Sequence, residues 1–546
     1  MSGDGRETSP LSTAAVTVSE GGARPLRILP PVLGRLLRGT FWMALRTPLQ
    51  ALFALWTVPL IVETVGEPAY GAYGFAWGFG FLQFLLEFGM SSALNRQVAE
   101  AWTRDDRPAV DRAIACGLNF YAAVSVIQVL ALLSIAIWGI PDRFGPGSHE
   151  LIVKLLVLQA VTAPCYGLGA VIGSVLQAAR RYDILPRFEL AIVVLRFAVL
   201  FVGLKAGCDF FAVVAAQIAV QVGLSLGPGL WVMARELGYV PRFARVSPAD
   251  FAGLLHVSLY MFLIQLSVVL ADKLDTTVLG YALDDPESGV SIYQAISKPF
   301  LQLRQTGWML AYLVMPAVAS LVAAGDSAAL EKIKYDGTRF LVALLLPIGL
   351  LAALYARPFL ALWIPRYADQ AGLMRLFLVA ALPLVLSVVV QVAIGMNKVR
   401  VIALSALAGS IVNLPLSYAL TLRMGVSGVI WGTVLTTLIS NGLIPGWYVF
   451  RELGIGPGAF LKRTLAAPLA GAAALVVACL AMGLLVAADP VGAGKLARIG
   501  PFLAHLSVGC LAYLAGYAAV PGGRADLAEL LVKLRNRAAR GGASAA

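Results

Sequence analysis

The chain has 546 residues, of which 59% are hydrophobic and 13% charged, with a mean hydropathy of +0.82. A soluble domain carries about 25% charged residues, so a soluble enzyme is excluded and a polytopic membrane protein is indicated. The net charge of +12 does not imply nucleic acid, because the lysines and arginines fall mostly in loops between apolar stretches. The five cysteines have no C-x-x-C spacing and the three histidines are isolated in sequence. Zinc, haem and thiol chemistry therefore have no motif to rest on, and no cofactor is expected.

Taken in order, residues 1–38 are rich in Gly, Ser, Thr and Arg and lack an apolar h-region, so they read as a disordered cytosolic tail. Residues 40–62 are long and apolar enough to cross about 30 Å of hydrocarbon at about 1.5 Å per residue. A polar elbow at 63–69 turns the chain back into a second span, 70–94. The hairpin carries Arg46 and Glu87 at membrane depth, where an ionisable group costs about 2.5–3.5 kcal/mol unless it faces a polar interior. Further spans are expected at 113–139, 151–178, 188–205, 210–233, 251–283, 291–323, 338–356, 372–395, 401–422, 428–450, 464–488 and 501–520.

The fold class is thus all-α, with about fourteen membrane-spanning helices. An even number puts both termini on one side, and the Lys/Arg-rich loops, such as Arg180/Arg181/Arg187 and Lys398/Arg400, make that side cytoplasmic. The expected location is a bacterial-type inner membrane. The outer loops are short and have no clustered carboxylates, which leaves a membrane glycosyltransferase or polymerase no room for its chemistry and favours a transporter over an enzyme.

The chain also repeats itself at an offset of about 216–220 residues. Arg235-Glu-Leu-Gly238 recurs as Arg451-Glu-Leu-Gly454, and the stretch after span four corresponds to that after span ten. The repeat divides the chain into an N-terminal six-helix lobe (39–233), a linker (234–250) and a C-terminal six-helix lobe (251–450). Two extra helices (464–520) and a basic cytosolic tail (521–546) follow. Six-span units insert in the same orientation, so the lobes are expected to be related by a pseudo-two-fold axis along the membrane normal, with the substrate between them.

Several motifs carry a family likeness. They are Tyr70-Gly-x-Tyr73, the run Glu87-Phe-Gly-Met-Ser-Ser-Ala-Leu-Asn-Arg96, and Asp272-Lys-Leu-Asp275 followed by Tyr293 and Lys298. Asn413-Leu-x-Leu and Gly425-Val-Ser-Gly428 belong to the same set. From Gly39 to Gly454 the chain resembles the O-antigen or exopolysaccharide flippases of the multidrug/oligosaccharidyl-lipid/polysaccharide exporter superfamily. The resemblance implies alternating access and a lipid-linked glycan as cargo.

Helical spacing places Arg46, Gln50 and Thr57 on one face of span one, and Gln83, Glu87 and Ser91 on one face of span two. Span five carries Glu189 and Arg196, and span seven offers Ser258, Gln265, Asp272 and Thr276. Span eight offers Lys298, Gln302 and Gln305, with Arg304 about a third of a turn away. Arg46, Gln50, Arg196, Lys298, Gln302 and Arg304 are the expected binding residues, since a guanidinium fork suits the oxygens of a polyprenyl diphosphate. Trp42, Trp56, Trp77 and Trp308 are either sugar-stacking or interfacial residues. Glu87, Asp272 and Asp275 are candidates for coupling H⁺ or Na⁺ to transport. Alternatively the charges pair inside the membrane, Arg46 with Glu87 and Lys298 with Asp272.

Two rivals remain within the superfamily. A multidrug exporter is disfavoured by Arg46 in place of a carboxylate, whereas a lipid II flippase fits equally well. The tail 526–540 reads as an amphipathic basic helix lying on membrane lipid, with polysaccharide-assembly proteins as possible partners and no nucleic acid.

Overall fold

The computed structural model describes residues 30–85, 90–181, 184–247, 259–486 and 495–543. It is all-helical, with no strand among the described residues. Among the described residues, ten helices are long and apolar enough to cross a membrane, and they coincide with predicted spans three, four, six and eight to fourteen. The other four predicted spans fall on the helix Pro30–Thr64, the broken run Glu67–Gly78, Phe81–Leu85 and Met90–Thr103, and the helices Ile184–Lys205 and Leu259–Ala282. Spans one, five and seven among these carry Arg46, Glu189, Arg196 and Asp275, and span two is broken into short helices, so plain hydropathy and length read them least clearly. The start of span seven (251–258), Glu87 and most of the N-terminal tail lie outside the described residues.

Helix starts are set locally. Asp106, Asp209, Asp285 and Asp326 each accept a hydrogen bond from the backbone N–H three residues on, at 2.9–3.1 Å. Each satisfies one orphan donor at a helix N-terminus and so fixes where spans three, six, eight and nine begin. Large apolar side chains point out of the bundle as well as in: Val161 is 70% exposed and Leu484 89%. On membrane-spanning helices this is the surface presented to lipid, while Phe75, Phe300 and Phe377 form the packed interior.

The internal repeat appears at the level of single bonds. Arg181, after span four, pairs with Glu236 at the end of span six. Lys398, after span ten, pairs with Glu452 at the end of span twelve, at 2.6 Å. Arg180 and Asn397, one residue before each cation, both adopt positive φ (57° and 62°). Gly238 and Gly454 do so after each carboxylate (58° and 62°). The two halves therefore end their fourth and sixth helices with the same turn and the same ion pair.

Predicted spans thirteen and fourteen form a hairpin against span nine. The last helix, Pro521–Ala543, is latched to span nine by a buried cation and to the hairpin by Tyr517. Arg339, 8% exposed, donates from Nε and Nη2 to the two oxygens of Asp526 at 2.7 and 2.6 Å. Its Nη1 donates to the Arg463 carbonyl at 2.9 Å, and Tyr517 donates to Asp526 at 2.5 Å. Burial alone would raise the Asp526 carboxyl, but the bonds from Arg339 and Tyr517 outweigh it and hold the group below the ordinary carboxylate range. A depressed carboxylate contributes its stability above the unfolded value, and that stability is lost as pH falls through the lower folded value. The latch is therefore intact at neutral pH and released only in strong acid. Asp526→Ala removes the two-pronged bond to Arg339 and leaves it only Asp336 at 3.1 Å and the Arg463 carbonyl, and it is expected to weaken docking by about 1–3 kcal/mol. Faster proteolysis within 521–543 at neutral pH checks this; protection equal to the parent's would refute it.

Candidate functional site

A cavity of about 330 Å³ opens in the N-terminal half, with span eight of the other half closing one side. Its walls come from predicted spans one, two, five, six and eight, which contribute Gln50 and Thr57, Tyr70 and Tyr73, Arg196, Gln217, and Gln294 with Lys298. Two cations from different halves thus face one space. Arg196 donates to Gln221 Oε1 at 2.7 Å, and its own carbonyl accepts from Gln217 Nε2 at 2.8 Å, so the span-five helix is held to span six at the height of the cation. Phe53 stacks on Phe197 at 4.2 Å between ring centroids and joins span one to span five. Such a chamber can hold an anionic group between Arg196 and Lys298 while amides and phenols contact hydroxyls.

Of the six expected binding residues, Gln50, Arg196 and Lys298 line this chamber. Arg46 does not. It pairs with Glu189, which borders a second cavity of about 230 Å³ between spans four, five and six. Arg46 thus pairs with the neighbouring span-five helix, while Glu87, and with it the expected Arg46–Glu87 pair, lies outside the described residues. Gln302 donates weakly to Thr306 at 3.4 Å, and Arg304 lies 5.3 Å from the Phe300 ring centroid. Neither borders the chamber: Gln302 shares the Lys298 face but lies one helical turn farther along span eight, and Arg304 is rotated off that face. Trp56 is 61% exposed on the outer surface, whereas Trp77 stacks on the chamber residue Tyr73 at 4.8 Å. The Asp272 side chain is not among those described.

Asp275 lies elsewhere than expected. It is 1% exposed and sits inside the C-terminal half rather than in the chamber. Tyr293 and Thr433 donate to its Oδ2 at 2.5 and 2.9 Å, and Asn413 Nδ2 is 3.5 Å from Oδ1. Asn413 in turn accepts from Ser417 at 2.8 Å and from Thr436 at 3.3 Å. Four spans, seven, eight, eleven and twelve, thus meet on one buried carboxylate. The Asp272-Lys-Leu-Asp275 motif singled out the residue, but its partners Tyr293, Asn413 and Thr433 are 18, 138 and 158 positions away and only the fold assembles them.

The hydrogen bonds that join the halves gather at the end away from the termini. Glu67 accepts from Ser288 at 3.0 Å and pairs with Arg366 at 3.3 Å. Glu287 accepts from the Gly145 N–H at 2.8 Å, and Arg143 donates to the Leu283 carbonyl at 3.0 Å. Beneath these bonds the Tyr70-Gly-x-Tyr73-Gly74 stretch of span two lies directly on span eight. A Cβ at Gly71 would stand 2.1 Å from the Glu287 carbonyl oxygen, and one at Gly74 only 1.5 Å from the Gln294 amide. Both glycines are needed for close approach, in the manner of small-residue contacts between membrane helices. Periodicity alone did not reveal this seam, although the glycine spacing at i and i+3 was its available signal.

The chain matches the family described as "Polysaccharide biosynthesis protein" over residues 36–322, more than half its length. No curated protein matches it. Among solved structures it is similar to the lipid II flippase MurJ in an inward closed conformation, with a TM-score of 0.65 and 14% identity, covering 87% of this chain and 98% of that one. It is also similar to an inward-facing MATE-family multidrug resistance transporter of the MOP superfamily. There the TM-score is 0.59 and the identity 14%, over 74% of this chain and 94% of that one. These likenesses show a shared exporter fold. The family match over more than half of the chain, on a fold shared with these transporters, identifies the chain as a member of the polysaccharide biosynthesis protein family.

Proposed function

We propose that the protein is a flippase that carries a polyprenyl-diphosphate-linked glycan across the bacterial cytoplasmic membrane by alternating access. The observation that carries this reading is the chamber, with Arg196 on one side and Lys298 on the other. Two cations facing one space on a membrane-spanning bundle attract a diphosphate and repel organic cations. Gln50, Gln217, Gln294 and Tyr73 supply hydrogen-bonding groups for the first sugars. Family membership and fold are those of exporters rather than of catalysts.

With the termini cytoplasmic, as the loop charges indicate, the bonded end around Glu67 and Glu287 is the outer gate, and this conformation faces inward. Asp275 is the coupling group in this reading: its neutral donors hold a carboxylate that H⁺ or Na⁺ can neutralise, and four spans respond to the change.

The experiment is transport of a diphosphate-linked lipid oligosaccharide in proteoliposomes, with Arg196→Ala and Lys298→Ala beside the parent. Each variant is expected to lose about tenfold or more, the scale of one charge-assisted contact. Parental rates in both would remove the chamber from the substrate path. Efflux of organic cations without transport of any lipid-linked sugar would replace the flippase reading with a drug exporter. A specific preference for lipid II would assign the cargo to peptidoglycan.

A further inference from the structure

A second opening lies on the outside of the C-terminal half, between predicted spans eight, nine and ten. It is a groove of about 210 Å³ whose lining is apolar except for one residue, Arg375. Leu303 of span eight forms part of its floor, Val342, Leu346 and Gly349 one wall, and Leu378 and Val385 the other. None of its lining residues is shared with the central chamber.

Its dimensions and polarity are specific. Along span nine the lining runs from Val342 to Ala353, about 16 Å of helix and close to half of a 30 Å hydrocarbon core. The cation sits at one end only. Arg375 is exposed, and its Nε donates to the Ala353 carbonyl at 3.0 Å, where span nine ends. That bond anchors the guanidinium at the mouth of the groove and leaves its Nη donors for a ligand. The mouth is on the same side as the bonds that join the halves, since span nine ends and span ten begins there. A groove on a membrane-spanning surface is filled by hydrocarbon, and a fixed cation at its interfacial end selects an acidic headgroup.

We propose that this groove is a binding site for one acyl chain of an anionic phospholipid in the leaflet farther from the termini, with Arg375 on the lipid phosphate. The length favours a phospholipid over a polyprenyl carrier, whose chain is several times longer than one leaflet's depth. The lack of any residue common to the chamber places the site off the substrate route. Because Leu303 and Lys298 share a helix, the bound lipid packs against the span that carries a chamber cation.

Native mass spectrometry of the purified full chain, titrated with phosphatidylglycerol or with phosphatidylcholine of the same chains, tests the site. The parent is expected to bind one phosphatidylglycerol about fivefold more tightly than phosphatidylcholine, the scale of one partly exposed charge pair. Arg375→Ala, at an exposed position that does not threaten folding, is expected to bring the two lipids to parity. Gly349→Phe fills the groove and is expected to abolish the single tight binding event for both lipids; if that variant does not fold, Ala353→Phe blocks the mouth instead. An unchanged headgroup preference in Arg375→Ala overturns the proposal, as does unchanged binding in a folded groove-filling variant. Tighter binding of a polyprenyl phosphate than of phosphatidylglycerol would overturn the phospholipid assignment.

Discussion

Gly74→Leu is expected to stop transport while leaving the protein inserted and folded. Position 74 has no room for a side chain, since even a Cβ would come within 1.5 Å of Gln294 Nε2 and 2.9 Å of Val290. Gln294 can swing away, but Val290 belongs to the packed wall of span eight and is fully buried. Leucine would therefore push spans two and eight apart at the seam that closes the end of the molecule away from the termini. Overpacking of this kind costs about 1–3 kcal/mol, and the cost applies only to the conformation in which the seam is shut. The equilibrium between states should move by about ten- to a hundredfold toward the open-gate form. A cysteine at Thr57, in the chamber wall, reports this in a background without native cysteines. In the parent it should be protected from an impermeant maleimide added from that side, and in Gly74→Leu it should be labelled. Gly147→Leu is the control, because a Cβ there meets nothing within 4 Å. Equal labelling in parent and variant, with normal transport, would mean that the seam does not gate the chamber.

Asp275→Asn is expected to uncouple transport from the ion gradient. The substitution keeps the shape of the side chain and removes its charge. It also replaces an acceptor oxygen with an NH₂ group facing the donors Tyr293, Thr433 or Asn413. A donor set against donors inside a buried cluster costs about 1–3 kcal/mol, so modest destabilisation accompanies the functional loss. Uphill transport should fall by at least about tenfold, and the residual rate should be the same with or without an imposed Na⁺ or proton gradient. Thr433→Val and Tyr293→Phe each remove one donor and should weaken coupling without abolishing it. If Asp275→Asn retains full gradient-driven transport, the cluster is a structural core of the C-terminal half and the coupling ion binds elsewhere.

The sequence carried much of the architecture because membrane-spanning helices are selected by a local property. Ten apolar runs were legible as spans, since length and hydropathy are all that a bilayer demands of them. The repeat was legible from several matches at one shared offset, and the structure gives the Arg-Glu-Leu-Gly match a reason: its glutamate pairs with the cation after span four or ten. The candidate chamber was legible in part. Gln50, Arg196 and Lys298 were found by their polar faces on apolar helices, and all three border the chamber. Arg46, Gln302 and Arg304 met the same criterion and do not border it, because periodicity reports that a face is polar without reporting what it faces.

What the sequence by itself determined, then, is the helical membrane class, the approximate spans and the recurrence of one helix-ending motif in the two halves. These follow from composition, run length and spacing, which act within one helix or one loop. Only the tertiary structure decided that Arg46 answers to Glu189, that Asp275 leaves the chamber for a cluster with Asn413 and Thr433, and that Gly71 and Gly74 are the seam between the halves. Each of these depends on the rotation of one helix about its axis against another. In a bilayer, where lipid and core are equally apolar, that rotation is set by close packing and by the pairing of distant polar groups rather than by hydrophobic pattern.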